Sequence, residues 1–145
     1  MCETSDFELH SNLASDGIVL GAFPLCQVLL IDDANYPWFV LVPQRPGIVE
    51  LSDLSETDYQ QLWQESRVFC GFLRSALRPD KLNVATLGNI TPQLHVHHIA
   101  RFETDAAWPK PIWGVEEAKP YTDQALSELT GLLASTQLEN FTPSN

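Results

Sequence analysis

Positive charge is scarce in this chain. Of its 145 residues, 8 are Lys or Arg and 19 are Asp or Glu, which gives a formal net charge of −11. A protein that grips a nucleic-acid backbone needs a basic surface, so we expect no nucleic-acid polymer as a partner. A small phosphate-bearing ligand stays possible, because a few local donors can hold it against an unfavourable overall field.

Long apolar runs and paired cysteines are also missing. No segment approaches the roughly 20 apolar residues that a membrane span requires. A secretory signal has a basic start followed by an apolar run, whereas residues 1–6 are acidic. Cys2, Cys26 and Cys70 are widely spaced and form no CxxC pair. We therefore expect a cytoplasmic protein that does not associate with membranes, and the length predicts one domain.

The residue periodicity predicts an α+β fold. Five β-rich runs cover 18–23, 25–31, 38–42, 82–87 and 93–100, and we expect them to form an antiparallel sheet. A helical repeat predicts one long helix over 55–77, with Ser55 as its N-cap and Asp58 completing a capping box, and a C-terminal helix over 122–136. A short helix is expected within 6–14. We expect the helices on one face of the sheet, a Trp- and Pro-rich segment after 102 that packs as an ordered tail, and fraying after 138.

Three of the four histidines lie within four consecutive positions of the last predicted strand. Because side chains alternate along a strand, Gln93, His95 and His97 project to one face, while His98 projects to the other. A buried row of polar groups is costly unless its members form hydrogen bonds or meet a ligand. This row is therefore the candidate functional site, and His98 is interpreted as structural.

Three chemical interpretations of this row compete. His95 can be a nucleophile that attacks phosphorus, with His97 stabilising the charge that develops. Alternatively, His95 and His97 can be two ligands of a metal ion, but no third ligand has suitable spacing, so we expect no metal and no other cofactor. In the third interpretation both histidines are structural polar residues of a half-exposed strand.

The stretch QLHVHHI at 93–99 resembles the signature of the histidine triad (HIT) superfamily, and above all the bacterial HIT-domain proteins whose strand reads QLHVHHIAR. The segments 30–33 and 38–43, Asn83, and the Gly88–Asn89 loop resemble further elements of that family. The resemblance covers about 18–101. The chain is therefore interpreted as a single HIT-like domain over 1–145, with its core at 18–101 and the tail and C-terminal helix at 102–138.

The resemblance implies a half-barrel built on a five-stranded antiparallel sheet, a homodimer, and a nucleotide hydrolase or nucleotidyltransferase that acts at the α-phosphorus of a small-molecule nucleotide. By the same resemblance, His95 is the catalytic nucleophile and becomes nucleotidylated. It assigns the phosphate to His97, Gln93, Asn89 and Gly88, and the nucleoside and its ribose to Asp32 and Asn83.

Two departures from the family pattern bear on the substrate. Gln93 occupies the place of the first histidine, and a glutamine cannot titrate; Trp38 stands where some relatives carry a further histidine. A leaving group that departs already ionised needs little acid assistance, so we expect a dinucleoside polyphosphate or another nucleotide conjugate. A non-catalytic nucleotide-binding regulatory module is the alternative, and a metal-dependent enzyme is less favoured. Arg101 is interpreted as a clamp for a distal phosphate or as a surface or interface residue.

Overall fold

The computed structural model describes residues 6–144. Its strands are β1 Gly17–Ala22, β2 Cys26–Ile31, β3 Trp38–Pro43, β4 Lys81–Ala85, β5 Val96–Arg101 and β6 Thr142–Pro143. Its helices are α1 Ser11–Asp16, α2 Glu56–Leu77 and α3 Asp123–Thr136, with a 3-10 turn at Leu51–Asp53. The α+β class is confirmed. Among these described residues no helix is both long and apolar enough to cross a membrane.

The strands form one open antiparallel sheet in the order β4-β5-β3-β2-β1-β6. It has six strands, so the expected number of five is wrong. The extra strand comes from the segment expected to fray, where Thr142 pairs with Ala22 and the Phe141 ring packs 5.2 Å from that of Phe23. β6 fits because Gly21 has no side chain: a Cβ there would collide with the Thr142 backbone and the Phe141 ring.

The long helix α2 begins and ends where its sequence predicts. The Ser55 hydroxyl accepts the Asp58 N–H and caps the first turn. Asp58 does not complete a capping box, because its carboxylate pairs instead with Arg45 at 2.8 Å. The apolar side of α2 buries Leu62 and Phe69, among others, in the main core, and α3 adds Leu133 on the same face of the sheet.

The opposite face of the sheet is covered by non-helical chain and by α1. Leu13 of α1 packs on Leu29, Val40 and Val42, which corrects the expectation that all helices share one face. Beside this cluster, the tail covers Ile99 with Ala107 and Ile112. The histidine row emerges on this face. β5 starts at Val96 rather than at 93, so Gln93 and His95 lie in the segment that leads into the strand.

Candidate active site

Two cavities meet at His95. The larger has a volume of about 430 Å³ and is bounded by α1, the turn after β2, the tail and the histidines, through Leu13, Ser15, Asp16, Ile31, Asp32, Asp33, Trp38, Thr91, His95, His97 and Ala118. The smaller, about 150 Å³, lies against the loop before β5 and is lined by Val49, Glu50, Thr86, Gly88, Asn89, Thr91, Gln93, Leu94 and His95. A ligand that spans both cavities would therefore pass the His95 imidazole.

His95 has the tautomer that a nucleophile needs. His95 is 7% exposed, and its Nδ1 lies 2.7 Å from the carbonyl oxygen of Gln93. A carbonyl can only accept, so Nδ1 carries the proton and Nε2 keeps its lone pair. Within residues 6–144, Nε2 has no hydrogen-bond partner. The nitrogen that can attack an electrophile is thus the one that the protein leaves unbonded.

Gly88 packs directly against the His95 ring. A Cβ built on Gly88 would lie 2.8 Å from Cε1 and 3.5 Å from Nε2 of His95. Ordinary carbon–carbon contacts begin near 3.5 Å, so any side chain at this position would displace the imidazole. Gly88 and its neighbour Asn89 line the smaller cavity, where the resemblance assigns the phosphate.

His97 lies beside His95, with ring centroids 4.9 Å apart, but both of its nitrogens are bonded to protein groups. The indole Nε1 of Trp38 donates to Nδ1 at 3.0 Å, and Nε2 donates to the carbonyl of Leu87 at 2.8 Å. Burial lowers the pKa of His97 to about 4, and the Trp113 ring packs 5.1 Å away. His97 lines the larger cavity as a neutral imidazole that links β3 to the loop before β5.

His98 faces the other side of the sheet, which confirms the prediction from strand alternation. Its Nδ1 donates to the Val96 carbonyl at 2.9 Å, so Nε2 accepts from the Ser66 hydroxyl of α2 at 2.7 Å. Burial lowers the pKa of His98 to about 4. His98 is therefore a structural histidine of the main core.

Gln93 faces the smaller cavity, but its amide is bonded to the N-terminal segment. Its Oε1 accepts the backbone N–H of His10 at 2.9 Å, and its Nε2 donates to the carbonyl of Glu8 at 2.9 Å. The phosphate contact expected from the resemblance would have to share this amide. These contacts join positions more than 80 residues apart, so no local pattern could predict them.

The turn after β2 presents two acidic side chains to the larger cavity. Asp32 accepts the backbone N–H of Tyr121 through Oδ1 at 2.9 Å. Asp33 is buried and accepts the N–H groups of Asn35 and Lys119. The tail is therefore fastened to this turn, and Asp32 stands where the resemblance expects a contact with ribose.

The structure does not bring Asn83 or Arg101 to either cavity. Arg101 is 2% exposed and forms a two-bond ion pair with Asp105, with 2.8 Å between Nε and Oδ2. Its Nη1 donates to Oδ1 of Asn83 at 2.8 Å, and its Nη2 donates to the Lys110 carbonyl. The interpretations of Arg101 as a phosphate clamp or as a surface residue are wrong. Both residues instead fix the start of the tail against β4 and β5.

Several cavity residues were missed from the sequence, among them Leu13, Ser15 and Asp16 of α1, Thr91, and Ala118 of the tail. None belongs to a motif, and their approach depends on tertiary packing. The described lining of both cavities includes carboxylates but no Lys or Arg. Within 6–144, no group of three or more His, Cys, Asp or Glu side chains is arranged to hold a metal ion.

The open sheet, the long helix and an imidazole whose Nε2 has no hydrogen-bond partner within 6–144 fit the histidine triad class of proteins. The HIT domain family model matches residues 12–104, and the chain belongs to this family. HIT domain proteins are generally nucleotide-binding hydrolases or transferases.

Similar structures are histidine triad proteins of bacteria. One from Bradyrhizobium japonicum is 46% identical, with a TM-score of 0.87 over 89% of this chain and 96% of the other. One from Marinobacter aquaeolei VT8 is 41% identical, with a TM-score of 0.88 over 92% and 98%. A third, from Sinorhizobium meliloti 1021, is 38% identical, with a TM-score of 0.87 over 90% and 96%. No curated protein gives a significant match.

Proposed function

We propose that this protein is a nucleotide hydrolase or nucleotidyltransferase that acts at the α-phosphorus through a nucleotidyl-His95 intermediate. The observation that carries the proposal is the hydrogen bonding of His95: Nδ1 lies against the Gln93 carbonyl, and Nε2 has no partner among residues 6–144 where the two cavities meet. The larger cavity would take the nucleoside, with Asp32 at the ribose. The loop with Gly88 and Asn89 would lie beside the phosphate.

The reaction proceeds in two displacements. In the first, the Nε2 lone pair of His95 forms an N–P bond, and the bond from phosphorus to the leaving group breaks with its electron pair going to that group. In the second, a water or another acceptor attacks phosphorus and releases its proton to solvent, the N–P bond breaks, and the imidazole recovers its lone pair. The Gln93 carbonyl stabilises the positive charge that the ring carries between the two steps, because it accepts the Nδ1 proton throughout.

Two features of the site restrict the class of substrate that it can bind. The carboxylates of Asp16, Asp32 and Asp33 line the larger cavity and that of Glu50 the smaller, and no Lys or Arg lines the described part of either. This distribution disfavours the several charges of a dinucleoside polyphosphate and favours a conjugate with a single phosphate. Neither Gln93 nor the buried, neutral His97 can readily supply a proton, so the leaving group is one that departs without acid assistance.

The test compares adenosine 5′-(4-nitrophenyl phosphate), its guanosine, cytidine and uridine counterparts, and diadenosine triphosphate as substrates. We expect turnover of at least one nitrophenyl ester, a lower kcat/KM for diadenosine triphosphate, and an acid-labile nucleotidyl adduct on His95. His95→Ala should abolish both turnover and adduct while the protein still binds the nucleoside monophosphate. Turnover by His95→Ala at the wild-type rate would exclude the proposed intermediate.

One observation favours a second candidate function, a nucleotide-binding regulatory module. Gln93 and His97 flank the nucleophile, and the side-chain polar atoms of both form hydrogen bonds with other protein groups. A pure binder would take up a nucleoside monophosphate with one site per chain but form no adduct with any of the five substrates. Rapid-quench trapping followed by intact mass measurement separates the two functions.

We also propose that the protein forms a homodimer. In the part of the chain that the structure describes, β4 is the last strand on its side of the sheet, and Val84 on β4 and Leu87 just beyond it are exposed. An unpaired edge strand with apolar side chains can pair with a second copy. Light scattering on purified protein should give twice the chain mass, and Val84→Lys should lower it; a monomeric wild type would refute the proposal. The cytoplasmic location stays a prediction.

A further inference from the structure

The side-chain amide of Gln93 joins two segments that form the site. We infer that Gln93 is a positioning residue, which fastens the wall of the nucleoside cavity to the segment that carries His95, and that it does not act on the phosphate. The inference rests on the proposed function only for the identity of the ligand; the role of Gln93 in the free protein does not depend on it.

The contacts between the two segments are complementary. Gln93 accepts from the His10 N–H and donates to the Glu8 carbonyl, both at 2.9 Å, so its amide bonds to the backbone as a neighbouring strand would. Asn12, two residues after His10, donates through Nδ2 to the hydroxyl of Thr91, two residues before Gln93, at 3.2 Å. Residues 8–12 are thereby held along residues 91–93.

The segment held in this way forms one side of the larger cavity. Leu13, Ser15 and Asp16, which follow it directly in α1, line that cavity together with His95. The apolar contacts of Leu13 with Leu29 and Val40 anchor α1 on the sheet, so the Gln93 amide adjusts the position of a wall that is already docked. Its loss should shift this wall without unfolding the protein.

Gln93 also couples the wall to the nucleophile through its backbone. Its carbonyl oxygen accepts Nδ1–H of His95 at 2.7 Å, while its side chain holds Glu8 and His10. One residue therefore sets both the tautomer of His95 and the position of the cavity wall. A histidine in the family's first position would present a ring of different shape to the same two backbone groups.

The two possible roles of Gln93 make opposite predictions for ligands with and without a phosphate. If its amide bound the phosphate, removing the amide would weaken binding of a nucleotide and leave binding of the corresponding nucleoside unchanged. If it positions the wall, both ligands lose affinity by the same factor. Gln93→Met is the suitable variant because methionine keeps the length of the side chain and removes both hydrogen bonds.

The experiment measures dissociation constants by calorimetry for AMP, GMP, CMP and UMP and for the four nucleosides, with wild type, Gln93→Met and the control Gln124→Met. Gln124 is an exposed glutamine in the first turn of α3, and its side chain donates to the Glu128 carboxylate. For the base whose nucleotide and nucleoside bind wild type most tightly, we expect Gln93→Met to raise both dissociation constants equally. The expected factor is about tenfold, the loss that two modest hydrogen bonds produce. Equal affinity of wild type and variant for the nucleoside would overturn the inference.

Hydrogen exchange provides the second readout and needs no ligand. The His10 amide should exchange faster in Gln93→Met than in wild type and in Gln124→Met, and unchanged exchange would overturn the inference. If wild type bound none of the eight ligands, the proposed function would fail while the exchange measurement would still decide the role of Gln93. Should Gln93→Met not fold, Asn12→Ala, which removes the contact with Thr91, is expected to weaken both ligands equally in its place.

Discussion

Replacing Gly88 by alanine should lower kcat and leave the free energy of unfolding nearly unchanged. The added methyl group would lie 2.8 Å from Cε1 of His95, about 0.7 Å inside ordinary carbon–carbon contact. We expect the ring to relieve this overlap by moving, which would lengthen the bond from its Nδ1 to the Gln93 carbonyl and redirect Nε2. A misplacement of about 1 Å at a reacting atom can cost about 100-fold in rate, so we expect a loss of kcat of that order.

The same substitution should leave the free energy of unfolding nearly unchanged. Gly88 is in an exposed loop, and its backbone is not in the left-handed region, so alanine restricts the unfolded chain and contributes about 0.4–1 kcal/mol, which offsets part of the local strain. Gly71→Ala is the matched control: a Cβ on this α2 residue meets nothing within 4 Å, and alanine should stabilise the helix by up to about 1 kcal/mol with wild-type kcat.

The assay is steady-state hydrolysis of the best nitrophenyl ester from the substrate comparison, together with urea denaturation of both variants. We expect Gly88→Ala to have a lower kcat with little change in the urea midpoint. We expect Gly71→Ala to have the wild-type kcat and a higher urea midpoint. Wild-type kcat in Gly88→Ala would show that the ring has room to accept the methyl group. A large loss of stability in the same variant would refute the argument that the clash is confined to His95.

Three further outcomes follow from buried groups near the site. Trp38→Phe removes the donor to Nδ1 of His97 and should lower the free energy of unfolding by about 1–3 kcal/mol, the usual cost of an unsatisfied buried acceptor; an unchanged urea midpoint would contradict it. Burial lowers the pKa of His97 and of His98 from 6.5 to about 4, so the unfolded chain binds protons first as the pH falls. Stability should therefore be independent of these two groups above pH 6.5 and decline between pH 6.5 and 4, by up to roughly 3 kcal/mol for each histidine, and a flat profile in denaturation experiments would refute this. Arg101→Met leaves the Asp105 carboxylate buried without its cation and should cost about 3–5 kcal/mol of stability; a loss below 1 kcal/mol by chemical denaturation would show that the pair is replaceable.

The elements that could be predicted from the sequence are those that a local pattern specifies. The helical period and the Ser55 cap predict α2, the proline at 79 predicts its end, and strand alternation predicts the opposed orientations of His97 and His98. β6 could not be predicted, since two residues carry no strand pattern and their pairing depends on the missing side chain of Gly21. The position of Arg101 depends on a tail whose folding is not encoded by periodicity.

For the candidate site, the sequence predicts which residue types are present and which face of the strand they occupy. It does not predict their hydrogen-bond partners. The sequence row of Gln93, His95 and His97 suggests three polar groups that face one ligand. In the folded chain the carbonyl of Gln93 holds the proton of His95, its amide holds the N-terminal segment, and His97 joins Trp38 to Leu87. The row therefore leaves one nitrogen, Nε2 of His95, available for chemistry. The Gln93 carbonyl holds the proton on Nδ1 and leaves Nε2 as the nitrogen with the lone pair, so a glutamine that cannot titrate is compatible with a working nucleophile two residues away.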